Sequence, residues 1–77
     1  MTVVLESYQS IENKLITAEI QQHKYEKAFE LVICETDDIE SCFAHTIFHN
    51  YYLSIPYARK ALKRQEKYFG KFEKVKE

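Results

Sequence analysis

The sequence predicts an all-α protein, a helical hairpin in which one long helix packs against two shorter ones and self-associates into a helical bundle. Two features of the 77 residues indicate this fold. Apolar residues in the first half recur alternately four and three apart, and a single Gly and a single Pro leave few turn signals. A chain this short buries only about 60% of its unfolded surface, so oligomerisation would help to stabilise it. A monomeric three-helix bundle is the alternative.

The first predicted helix covers residues 3–34 and carries a heptad seam with one polar member. A seam of this kind is typical of helices that pair along their length, and the polar Gln22 would fix the register of that pairing. The seam residues are Val4, Tyr8, Ile11, Leu15, Ala18, Gln22, Tyr25, Phe29 and Val32.

Two further helices are predicted over residues 37–53 and 56–75. Thr36 or Asp37 can accept hydrogen bonds from the free N–H groups at the start of the second helix. Pro56 ends that helix and suits the first turn of the third, which Ser54 can cap. Residues 1–77 therefore form one all-helical domain.

The net charge of −1 conceals an acidic front and a basic tail. Residues 1–50 hold three Lys against nine Asp and Glu, and residues 51–77 hold eight Lys and Arg against three Glu. No start resembling a signal peptide and no long apolar run is present, and the only cysteines are Cys34 and Cys42. These features predict a cytoplasmic protein with reduced thiols and no membrane association.

Cys42, His45 and His49 form the one spacing that suggests a metal site. On a helix, spacings of three and four place a thiolate and two imidazoles on one face, with Asp38 as a possible fourth ligand. All these ligands would come from one helix, whereas structural zinc sites draw on two elements. A structural role for Cys42 and the histidines is the favoured interpretation, and no metal or other cofactor is expected.

A basic stripe on the third predicted helix is the second candidate site, and it consists of Lys60, Arg64, Lys67, Lys71 and Lys74. Such a face could follow phosphates, while Tyr57 and Tyr68 could stack on bases. The simpler interpretation is a solvated face that partly pairs with the acidic front half.

The sequence contains no nucleophile motif, no phosphate-binding loop and no recognisable pair of catalytic carboxylates, so we expect no enzyme. The favoured function is a non-enzymatic protein–protein interaction module of the adaptor, co-chaperone or inhibitor type. It would form a homodimer or higher oligomer and present an aromatic and basic surface to another protein. A nucleic-acid-associated regulator and a metal-responsive helical protein are the alternatives. The predicted interface residues are Tyr8, Ile11, Leu15, Gln22, Tyr25, Phe29, Tyr51, Tyr52 and Tyr57.

Overall fold

The computed structural model describes residues 2–23, 27–37 and 44–75 and contains a five-stranded antiparallel sheet with one helix. The strand order in the sheet is β4-β3-β2-β1-β5, so the chain forms a four-stranded meander, crosses the sheet through the helix and returns beside β1. The elements are β1 (Thr2–Ser10), β2 (Ile16–His23), β3 (Phe29–Thr36), β4 (Ala44–Tyr52), α1 (Ile55–Phe69) and β5 (Phe72–Lys74).

The predicted all-α fold is therefore wrong, both as a self-associating hairpin and as a three-helix bundle. Strands β1 to β3 occupy the span of the first predicted helix, and β4 lies within the second. The seam was misleading because the same stretches also alternate with a period of two. Ile16, Ala18 and Ile20 are buried on one face of β2, and Leu31 and Ile33 are buried on the same face of β3.

The turn between β1 and β2 uses side chains where many hairpins use glycine. The Ser10 hydroxyl accepts a hydrogen bond from the Asn13 backbone N–H at 3.2 Å, and Asn13 Oδ1 accepts one from the Leu15 N–H at 3.0 Å. Gln9 Nε2 crosses the turn and donates to the Ile16 carbonyl at 2.9 Å. Asn side chains can replace a backbone turn in this way, so the lack of glycine did not exclude a hairpin.

Among the described residues, only the third predicted helix is present, and it is shorter than expected. Ser54 is its N-cap and accepts a hydrogen bond from the Tyr57 N–H, and Pro56 lies in the first turn. The helix ends at Phe69, not at residue 75, because Gly70 adopts a φ of +82° that turns the chain toward β5.

The core lies between α1 and one face of the sheet. Ala58, Ala61 and Leu62 of the helix pack against the buried apolar residues of β2 and β3. The two alanines let the helix backbone approach the sheet closely. Half-buried aromatic side chains surround this contact, namely Tyr8, Phe29, Phe48, Tyr52, Phe69 and Phe72. We call this side of the sheet the covered face and the opposite side the open face.

Candidate interaction surfaces

The covered face contains a buried carboxylate that ties the helix to the sheet. Glu6 of β1 has a side chain only 7% exposed, and its two oxygens accept hydrogen bonds from Arg59 of α1, with Nε 3.0 Å from Oε1. The Tyr8 hydroxyl donates to Oε1 at 2.6 Å, and Lys74 Nζ of β5 lies 3.4 Å from Oε2. One carboxylate thus joins β1, α1 and β5.

These contacts change the acidity of two groups in opposite senses. The hydrogen bond from Arg59 outweighs the cost of burial and, with the help of Tyr8 and Lys74, lowers the pKa of Glu6 from 4.5 to about 2. Burial, together with the hydrogen bond to ionised Glu6, raises the pKa of Tyr8 from 10.0 to about 12. Glu6 therefore stays charged and Tyr8 stays neutral across the physiological range. The sequence analysis missed this cluster, since 53 residues separate Glu6 from Arg59.

The outer side of α1 carries four cations, which we call the basic face, and these are Lys60, Lys63, Arg64 and Lys67. All four are exposed, and no carboxylate among the described residues forms an ion pair with them. Lys60 Nζ lies 5.8 Å from the centre of the Tyr57 ring, and Lys67 Nζ lies 4.9 Å from the centre of the Tyr68 ring. These tyrosines are 58% and 66% exposed, so the basic face has an aromatic ring near each end.

The predicted basic stripe extends further than the helix that supports it. Lys60, Arg64 and Lys67 share the exposed side of α1 as expected. Lys71 follows the helix end, and Lys74 lies on β5 in contact with Glu6, so neither continues a helical row. The stripe is shortened because Gly70 redirects the chain.

The helical spacing that suggested a metal site does not apply to His45 and His49, because both lie on a strand. Cys42 and Asp38 lie outside the described residues. His45 and His49 both lie on β4, where residues four apart are separated by about 13 Å along the strand. They are therefore not brought together as they would be on adjacent turns of a helix. They also contact different carboxylates among the described residues: His45 Nε2 is 3.3 Å from Asp37 and His49 Nδ1 is 3.7 Å from Glu30. Within the described ranges, no three or more His, Cys, Asp or Glu side chains are grouped to hold a metal ion.

The open face contains a second cluster that the sequence analysis did not find. The Glu30 carboxylate is 13% exposed; one oxygen lies 2.9 Å from His23 Nε2 and the other lies 3.7 Å from His49 Nδ1. The Tyr51 ring lies beside both imidazoles, with centroid distances of 5.7 and 6.4 Å. A shallow depression of about 520 Å³ adjoins this cluster and is lined by Glu19, Gln21, Glu30, Val32, Cys34, Thr46 and His49.

The predicted interface residues are scattered over the molecule. Tyr8, Phe29 and Tyr52 are half-buried against the core, and Leu15 is half-buried before β2. Ile11, Gln22, Tyr51 and Tyr57 are exposed in four different elements or loops, and Tyr25 lies outside the described residues. No helical seam joins them.

Strand β4 forms one edge of the sheet. It is nine residues long and pairs with β3 on one side, and no other described strand pairs with it. A bulge interrupts the pairing at Ile47, because Phe48 opposes Ile33 while Thr46 opposes Cys34. The opposite edge is formed by the three residues of β5.

No helix within the described residues is long and apolar enough to span a membrane. Comparison of the chain with protein-family models, with curated proteins and with solved structures gave no match.

Proposed function

We propose that the chain is a non-enzymatic interaction module that binds an acidic surface of a partner protein through the basic face of α1. The observation that carries this proposal is the difference between Arg59 and its neighbours. Arg59 is bound to Glu6, whereas Lys60, Lys63, Arg64 and Lys67 point to solvent with no carboxylate partner among the described residues. Their charge is thus available to a second molecule.

The helix presents these cations on a rigid support. Its fifteen residues extend over about 22 Å, and its opposite side is fixed in the core by Ala58, Ala61 and Leu62. The rings of Tyr57 and Tyr68 lie beside Lys60 and Lys67 and offer apolar area with a hydroxyl at low entropic cost. Tyr and Arg are enriched at the centres of protein interfaces.

Nucleic-acid binding is the second candidate, and the two exposed tyrosine rings beside cations favour it. Such rings could stack on unpaired bases while Lys and Arg contact phosphates. The negative charge of the sheet disfavours the binding of a long polyanion. Strands β1 to β4 contain four glutamates and no Lys or Arg. A compact acidic patch on a protein can contact the basic face of α1 without approaching the acidic strands, so we favour a protein partner.

Charge reversal tests this proposal directly. The variant carries Lys60→Glu, Arg64→Glu and Lys67→Glu. A matched control carries Lys14→Glu, Lys27→Glu and Lys71→Glu, which reverses the same number of exposed cations elsewhere. Fluorescence anisotropy would compare their binding to a labelled glutamate-rich peptide and to a labelled single-stranded oligonucleotide of mixed sequence, each over a range of salt concentrations.

We expect the unmodified protein to bind the peptide at low salt and the face variant to bind it about tenfold more weakly. Three exposed ion pairs at roughly 0.5 kcal/mol each account for that factor. Equal losses in the face variant and the control would contradict the proposal, because they would indicate attraction by net charge alone. Preference for the oligonucleotide, with loss of that preference in Tyr57→Ala and Tyr68→Ala, would establish the second candidate instead.

A further inference from the structure

The covered face is wider than the one helix that packs on it. Strands about 4.8 Å apart place β4 and β5, at the two edges, about 19 Å from each other, whereas a helix with its side chains is about 10–12 Å across. The backbone of α1 lies mainly over β2, β3 and β4. A part of the covered face therefore remains open beside α1, above β1 and β5.

A groove of about 290 Å³ lies at this position, between the flank of α1 and the strands β1 and β5. Its apolar part consists of Leu62, which is buried, and the half-buried rings of Tyr8 and Phe72. Pockets for small-molecule ligands measure roughly 300–1,000 Å³, so the groove is better matched to one side chain of a partner than to a separate ligand. The residues that line it are Tyr8, Arg59, Leu62, Lys63, Glu66 and Phe72.

The charged residues around the groove carry one more positive than negative charge. Arg59 and Lys74 are bound to the nearly buried carboxylate of Glu6. The Glu66 carboxylate accepts a hydrogen bond from a backbone N–H of β5 at 2.8 Å. Lys63 is exposed and forms no ion pair with a carboxylate among the described residues. Because Lys63 also belongs to the basic face, the groove opens directly onto that face.

We infer that the groove binds an aromatic side chain of the acidic partner, at a position flanked by Asp or Glu. The inference rests on the proposed function and specifies the chemistry of that partner. Charge complementarity requires the acidic flanks, because a segment seated in the groove passes along Lys63 and the rest of the basic face. An aromatic ring can pack against the rings of Tyr8 and Phe72 in an offset or edge-to-face arrangement. An apolar anchor in a pocket beside a charged rim is a common arrangement in protein interfaces.

The test compares two labelled glutamate-rich peptides that are identical except for a central Phe or Ser, with binding measured by fluorescence anisotropy. We expect the unmodified protein to bind the Phe peptide about tenfold more tightly, which corresponds to about 1.4 kcal/mol. Phe72→Ala removes one ring from the groove and should reduce this preference to about twofold, while the Ser peptide keeps its affinity. Phe48→Ala is the matched control, because it truncates a half-buried ring on β4 at the opposite edge of the sheet, and it should keep the preference.

Nuclear magnetic resonance of the unmodified protein supplies a second measurement that does not depend on the variants. We expect the side-chain signals of Tyr8 and Leu62 to shift with the Phe peptide and not with the Ser peptide.

The possible outcomes separate this inference from the proposed function. Equal binding of the two peptides would overturn the inference and leave the proposed function intact, whereas binding of neither peptide would contradict both. Equal loss of the preference in Phe72→Ala and Phe48→Ala would also overturn the inference, because the ring would then not be recognised by the groove. A solution mass of two chains without peptide, reduced to one chain by Phe72→Ala, would assign the groove to a second copy instead.

Discussion

The covered and open faces of the sheet each hold a nearly buried glutamate, and the two differ in what they bind. Glu6 on the covered face is bound by Arg59 and Lys74, which belong to α1 and β5. Glu30 on the open face contacts His23 at 2.9 Å and lies 3.7 Å from His49, and these residues belong to the adjacent strands β2 and β4. The carboxylate on the covered face therefore holds the helix to the sheet, whereas the one on the open face connects only neighbouring strands. The two glutamates are similarly buried, but Glu6 stabilises the packing of the helix on the sheet, whereas Glu30 forms contacts only within the open face.

Substitutions at two neighbouring positions on β3 should give the largest difference in stability between the covered and open faces. Leu31 is fully buried on the covered face, and Val32 is half-buried on the open face. We expect Leu31→Ala to lower the free energy of unfolding by about 2–5 kcal/mol, because it leaves a cavity beneath α1. Val32→Ala should cost about 1 kcal/mol or less. Urea denaturation measures both, and equal losses would contradict the assignment of the core to one face.

The two carboxylates give the next test. Glu6→Gln should lower the free energy of unfolding by about 1–3 kcal/mol, because the neutral amide no longer neutralises the cations that tie α1 and β5 to β1. Glu30→Gln should have a smaller effect, because a glutamine oxygen can still accept a hydrogen bond from an imidazole. Arg59→Met should cost more than Glu6→Gln, since it leaves a buried carboxylate with one of its main partners removed. A larger loss from Glu30→Gln would reverse the roles given to the two faces.

Lowering the pH should lower the free energy of unfolding, because Glu6 on the covered face becomes protonated. The pKa of Glu6 lies near 2 in the folded chain and near 4.5 as an ordinary value. In this interval the unfolded chain binds a proton that the folded chain does not, so stability falls as the pH falls. The contribution is present above about pH 4.5 and is lost progressively toward pH 2. Thermal unfolding of the protein and of Glu6→Gln over this range measures it, and parallel pH profiles would contradict this role for Glu6.

Gly70 gives the smallest effect, at the point where the chain leaves the helix and returns to the sheet. Its φ is +82°, and a Cβ at this position would lie 2.6 Å from Glu12 Oε2. We expect Gly70→Ala to destabilise the protein by about 1–2 kcal/mol, since an alanine must adopt a disfavoured backbone and displace Glu12. Adding Glu12→Ala should recover the part caused by the clash. A stabilising Gly70→Ala would show that this turn is not constrained as described.

The start of α1 was predictable because its signals are local. Ser54 can cap only the residues that follow it, and Pro56 favours a first helical turn wherever it lies. The end of α1 was not predicted. The third helix was predicted to run to residue 75, but the chain leaves the helix at Gly70 so that β5 can pair with β1, a strand distant in sequence.

The strands were missed for a different reason. Val4, Tyr8, Ile11 and Leu15 fit a heptad, but the same region contains the alternation of Ile16, Ala18 and Ile20, and a short apolar pattern can satisfy both periods. The choice between them is made by partners distant in sequence. The open-face cluster was missed with them, because His23, Glu30 and His49 meet only when β2, β3 and β4 lie side by side.

The sequence by itself determined the separation of charge between the strand segments and the helix, the position where the helix begins, and the uncharged character of Ala44–Leu53. These properties follow from residue identity and from contacts within one turn of chain. Only the tertiary structure decided that the first half forms strands, that Glu6 meets Arg59, and that β4 lies at an edge. The contact between Glu6 and Arg59 depends on how α1 packs against the sheet. The strands and their order depend on antiparallel pairing, whose hydrogen bonds join backbone groups that every sequence carries, so residue identity alone does not encode which strands meet.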